Sequence, residues 1–145
     1  MVNCGTYAYQ CRERGYFRST QAHNTVQIDE TEQSEVWSTF RLARRSRTRV
    51  LKLWNNGIRM EMQDYKGNRI QREIRLSPDN LRILDTSSDG TLMSHLHCIP
   101  KLEIRSNVPL SRSEALYAPE YGKLRTIDKI TAAGKDSVEL EILIS

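Results

Sequence analysis

The chain has no long apolar run: in its 145 residues no unbroken hydrophobic stretch exceeds four. A membrane-spanning helix needs roughly 20 such residues, so none is encoded and no membrane partner is expected. The opening residues, Met1-Val2-Asn3-Cys4-Gly5-Thr6-Tyr7, lack a basic n-region and an apolar h-region, so no signal peptide is read from them. The three cysteines, Cys4, Cys11 and Cys98, show no C-x-x-C spacing, and an odd count argues against a disulfide framework. Pairing of Cys4 with Cys11 in an oxidising compartment stays open. Aromatic residues are few, at 7%, which leaves little for a stacking platform. No segment sustains a helical period.

What the chain does have is alternation. Hydrophobic residues at 38% and charged residues at 28% are the composition of a globular domain of one core. Residues 1–33 are polar and irregular, with one short β-type run at 25–29 in which Val26 and Ile28 face one way. Beyond it, apolar and polar residues alternate with period two. In 57–64, Ile58, Met60 and Met62 share one face, and Arg59, Glu61 and Gln63 the other. The run 49–54 precedes it across Asn55-Asn56-Gly57, where the Asn-Gly pair predicts a type I′ hairpin turn. A second hairpin is expected at Tyr65-Lys66-Gly67-Asn68, and breaks are expected at 77–80, 87–90 and 133–136. Further strands are expected at 70–76, 81–85, 91–97, 102–105 and 138–144. All four prolines fall between strand candidates. The fold class predicted is all-β: an antiparallel β-sandwich.

Three features carry charge or chemistry. Arg41, Arg44, Arg45, Arg47 and Arg49 crowd one segment, a field that favours anionic partners but equally describes the solvated outer face of strands. Aromatic residues are not interleaved there as single-strand recognition requires, so no nucleic-acid partner is expected. The polar opening third collects Asn3, Tyr7, Tyr9, Arg12, Arg14, Tyr16, Arg18, His23 and Asn24. A histidine with nearby tyrosines can act as base and acid, and Arg or Asn can neutralise a carboxylate. A single loop histidine is ordinarily a hydrogen-bonding residue. His95 and His97, at i and i+2 on a strand, point to one face; two ligands alone make an ordinary strand pair rather than a metal site.

The wording of the opening third is more specific than its composition. Gly5-Thr6-Tyr7-Ala8-Tyr9, then Tyr16-Phe17-Arg18-Ser19-Thr20-Gln21-Ala22-His23-Asn24-Thr25-Val26, then Asp29 and Glu32-Gln33-Ser34-Glu35, resembles the heparinase II/III family of polysaccharide lyases. Trp37, Phe40 and Arg41 follow at the family's distance, with looser agreement at 72–76, 83–85 and 95–97. The resemblance is to the C-terminal sandwich, and the G-T-Y phrase sits so early that residues 1–145 read as that domain without its first strands. It implies β-elimination on uronic-acid-containing polysaccharide, in the periplasm or outside the cell. It also implies that the main catalytic groups belong to a helical toroid domain with no counterpart here, so the chain is expected to be inactive alone. A non-catalytic carbohydrate-binding module for acidic polysaccharide is the alternative, with Trp37 and Trp54 as its only tryptophans. By resemblance Tyr7, Arg18, His23 and Asn24 are substrate contacts. The family's zinc ion is held by a histidine of an upstream H-x-H motif, an Asp before G-T-Y and the His of A-H-N-T. His23 takes the last place and Asn3 the Asp place, while the H-x-H is missing, so the zinc ligand set is incomplete. The unpaired sheet edge left by missing strands predicts self-association.

Overall fold

A computed structural model of the chain describes residues 1–8, 12–38, 41–98 and 102–144; the expectations placed on Tyr9, Cys11, Phe40 and Pro100 lie outside these. Among these residues eight strands form: β1 Val26–Ile28, β2 Arg47–Trp54, β3 Gly57–Gln63, β4 Arg69–Leu76, β5 Asn80–Cys98, β6 Ile104–Ser106, β7 Leu110–Tyr117 and β8 Arg125–Leu143. They join one antiparallel sheet in the order β2-β3-β4-β5-β8-β6, with β1 added to β5 and β7 to β8. The all-β, antiparallel class is as predicted. One helical turn, α1 Arg14–Arg18, and a 3₁₀ turn at Thr20–Ala22 interrupt the irregular opening segment.

The hairpins follow from local chemistry. Trp54 pairs with Gly57 across a two-residue turn, Asn55-Asn56, but neither asparagine has a positive φ, so the turn is not the expected type I′. Gly57 is needed for closeness instead: a Cβ there would stand 2.4 Å from the Ile74 carbonyl oxygen. At the next turn Asp64 Oδ1 accepts from the Lys66 and Asn68 backbone N–H groups at 2.8 and 3.0 Å, an Asx-type cap that lets Gly67 take φ 101°. On the outer face of the hairpins, Arg49–Glu61 and Arg59–Glu73 pair at 2.8 and 2.5 Å across neighbouring strands.

Two of the expected breaks are not breaks. Residues 87–90 and 133–136 lie inside β5 and β8, each 19 residues long. The pairing of β5 with β8 shifts register between Thr86 and Thr91 and then resumes to Cys98↔Asp128. Gly90 with φ 155° and Asp136 with φ 64° turn the strands without ending them. β5 and β8 therefore run through both halves of the sheet. Ile70, Ile83, Val138, Leu140 and Ile142 from one half join Val26, Ile28, Leu92, Leu96 and Ile130 from the other in one core.

A buried polar link crosses the same bend. Arg72 on β4 forms a two-pronged pair with Asp85 on β5, Nε to Oδ1 at 2.6 Å and Nη2 to Oδ2 at 2.8 Å. Ser94 Oγ, further along β5, donates to the same carboxylate. Arg72 Nη1 also reaches the Asn24 carbonyl at 3.2 Å, so the pair anchors the opening segment to the sheet. A smaller core of Cys4, Phe17, Ala22 and Ala118 holds that segment against the end of β7. Among the described residues no helix is long and apolar enough to cross a membrane.

Candidate functional site

The motif at 16–26 folds back on itself through its own polar groups. Ser19 Oγ donates to the Tyr16 carbonyl at 2.7 Å. Thr20 donates from N and Oγ1 to Glu32 Oε2 at 2.6 and 2.7 Å, and its Oγ1 accepts from Gln33 N at 2.9 Å. Gln33 Nε2 reaches back to Thr25 Oγ1 and the Val26 carbonyl at 2.7 and 2.9 Å. Phe17 is buried, with Tyr16 edge-on against it at 5.5 Å. Most of the motif is thus scaffold.

Asn24 is a junction. Its Nδ2 donates to the Val2 carbonyl at 2.8 Å and its Oδ1 accepts from His97 N–H at 2.7 Å. With its own carbonyl on Arg72, Asn24 fixes the loop that presents His23. Arg18 Nη1 donates to the Ser38 carbonyl. Tyr7 is half-buried beside the Cys4–Phe17 core, and its carbonyl accepts from Gly122 N–H at 2.7 Å.

His23 and Asn3, 20 residues apart in sequence, meet directly: His23 Nδ1 lies 2.8 Å from Asn3 Oδ1. That oxygen also accepts from Cys4 N–H at 2.9 Å, which fixes the amide orientation. A carbonyl oxygen accepts only, so Nδ1 carries a hydrogen and points it at Asn3. Cys4 Sγ stands 3.9 Å from His23 Nε2, and burial pushes the thiol up to about 11, so it stays protonated at neutral pH. The arrangement is an imidazole whose orientation is fixed by Asn3.

The same geometry bears on zinc. The two residues that resemblance puts on the metal hydrogen-bond to each other, and one is a neutral amide. Among the described residues no group of three or more His, Cys, Asp or Glu side chains converges as a metal site. The donor set does not fit tetrahedral zinc.

His95 and His97 do share a face, the one opposite the core, beneath the opening segment. Both are buried, at 2% and 0% exposure. Burial and the nearby cations Lys129 and Arg72, with His97, press His95 down to about 3; burial, Lys129 and His23 press His97 down to about 4. Both are neutral at physiological pH. Gln27 on β1, Lys129 on β8 and Thr131 on β8 join them, a group the sequence reading missed because only the sheet register unites them.

Among the described residues neither tryptophan adds to a stacking platform. Trp37 is 70% exposed, while a face of Trp54 is covered by the Arg75 guanidinium at 3.3 Å.

No curated protein is significantly similar to the chain in sequence. Solved structures share its fold. A structure described as the heparinase III BT4657 gene product superposes with a TM-score of 0.68 at 16% identity, over 97% of this chain and 27% of that one. The heparan sulfate lyase HepC from Pedobacter heparinus gives 0.67 at 17% identity, over 99% and 28%. A further heparinase III structure gives 0.69 at 14%, over 98% and 26%. The chain therefore spans about a quarter of the length of these structures. Its sequence matches the family described as "Heparinase II/III-like, C-terminal" over residues 1–142, and the chain belongs to that family.

Proposed function

We propose that the chain is the substrate-facing C-terminal domain of a lyase that cleaves uronic-acid-containing polysaccharide by β-elimination, in the periplasm or outside the cell. The observation that carries this reading is the family match over residues 1–142, together with the fold shared with a heparan sulfate lyase. In β-elimination a base removes the proton beside the carboxylate, an acid protonates the leaving glycosidic oxygen, and an unsaturated sugar forms. These steps need the carboxylate neutralised and the base held at hydrogen-bonding distance in one cleft. His23, its ring set by Asn3, contributes a hydrogen-bonding imidazole to the wall of that cleft. Arg18 lines the same pocket as His23, Tyr7 is assigned to that wall by the family resemblance, and Asn24 holds the His23 loop in place. The carboxylate-neutralising and proton-transfer groups are assigned to a helical toroid partner, so the chain alone is inactive.

The test is the ultraviolet absorbance of unsaturated uronic ends, followed with the purified chain on alginate, heparin and heparan sulfate. No steady product is expected, while calorimetry registers binding of at least one of these polymers. Turnover that disappears in His23→Ala would make the domain a catalyst in its own right and overturn the assignment. Absence of binding to every acidic polymer would remove the substrate class.

A further inference from the structure

The outer face of the β1-β5-β8 sheet carries a cleft that the His23 corner does not use. Its volume is about 340 Å³, and Gln27, His95, Lys129, Thr131, Glu30 and Ser111 contribute to its lining. That is the small end of the roughly 300–1,000 Å³ range of ligand clefts, which suits one sugar ring rather than a run of them.

Among the described residues, three side chains there are buried without adequate partners. Gln27 is 5% exposed, and its Oε1 accepts nothing. His95 Nδ1 is 3.1 Å from Thr131 Oγ1, but its Nε2 has no partner. Lys129 is 9% exposed; among the described residues its ammonium forms no ion pair and one long hydrogen bond, to Gln21 Oε1 at 3.4 Å. Buried polar groups are nearly always satisfied, and a buried cation without a counter-charge is costly. Unmet demand of this kind, converging on one cleft, marks a polar ligand.

The demand has a definite chemistry. Lys129 calls for an anionic oxygen. Gln27 Oε1 calls for a donor, and His95 Nε2 for a group that donates or accepts, which a hydroxyl does equally well. Glu30 and Glu32 border the same space, and Glu32 is already held by Thr20. Their charge turns a carboxylate away from their side and toward Lys129, while accepting hydroxyl hydrogens. We propose that this cleft binds one uronate sugar unit, its carboxylate on Lys129 and its hydroxyls on His95, Gln27 and Glu30. The inference rests on the acidic-polysaccharide reading above and adds to it a monosaccharide subsite with named contacts.

The test titrates the ¹⁵N-labelled full chain at pH 7 with glucuronate, glucose and a heparan sulfate tetrasaccharide. Glucuronate is expected to move the His95 Nε2 and Gln27 amide resonances, with glucose at least tenfold weaker. Lys129→Met should lower glucuronate binding to the glucose level. Ser111→Trp, at an exposed position on the rim, should block it even if the lysine variant does not fold. Equal binding of glucose, or sugar-induced shifts that leave His95 and Gln27 still, would overturn the subsite. If the tetrasaccharide binds while these two residues stay silent, the subsite falls and the acidic-polysaccharide reading stands. If neither acidic ligand binds, both fall.

Discussion

Lowering the pH from 7 to 5 should destabilise this domain through two residues, His95 and His97. Each is neutral and buried in the folded chain, with imidazoles held at about 3 and about 4 against an ordinary value of 6.5. A folded value below the unfolded one means that the unfolded chain binds more protons as the pH falls. The stability present above pH 6.5 is therefore lost on the way down, to about 4 for His97 and about 3 for His95. Linkage gives each histidine a loss of about 2 kcal/mol between pH 7 and 5, or about 4 kcal/mol together. Against a total of roughly 5–15 kcal/mol that is a large fraction, and it should lower the melting temperature on the order of 10 °C. The measurement is urea unfolding followed by circular dichroism at pH 7, 6 and 5, repeated on His23→Gln so that the third histidine drops out. Imidazole resonances should show His95 and His97 neutral to well below pH 5. A stability change under about 1 kcal/mol across this range, or both rings titrating near pH 6.5, would refute the reasoning.

Arg72→Ala strands the Asp85 carboxylate in the core and should cost about 3–5 kcal/mol by denaturant midpoint, while Arg72→Met with Asp85→Leu should recover much of it. Asn24→Ala orphans the Val2 carbonyl and His97 N–H; about 2–3 kcal/mol is the expected loss, with faster hydrogen exchange at His97. Metal analysis after dialysis should find well under one zinc per chain, and stoichiometric zinc that disappears in His23→Ala would contradict the donor-set argument. β2 is a sheet edge with Val50 and Leu53 at 60% and 73% exposure, so the chain should self-associate in sedimentation and Leu53→Lys should reduce this; a wild-type monomer at high concentration would contradict it.

The hairpins β2-β3-β4 were legible because their pattern is local: Ile58, Met60 and Met62 alternate with charges between turn residues. The long strands were not. Ser87-Ser88-Asp89-Gly90 carries every mark of a turn, yet it is a bulge on a strand whose partner β8 continues past it. β7 escaped notice because Ser111, Arg112, Ser113 and Glu114 are all exposed and show no alternation. At the site, Asn3 and His23 were brought together by the wording of the motif, which encodes a contact that spacing does not. Gln27, His95 and Lys129 come from three separate stretches, and only the registers Gln27↔Met93 and His97↔Lys129 bring those stretches side by side.

The two long strands also govern how the domain can form. Asn80 finds its partner at Leu143 and Cys98 finds its at Asp128, so the central ladder closes only after the intervening chain has been looped and placed. Early hairpins can assemble as they emerge during synthesis, but they have no central ladder to join until β8 arrives. Contacts of such long sequence separation put folding in the slow, millisecond-to-second regime. In that interval β5 presents an unpaired edge, and a chaperone or a second nascent chain has its opportunity there.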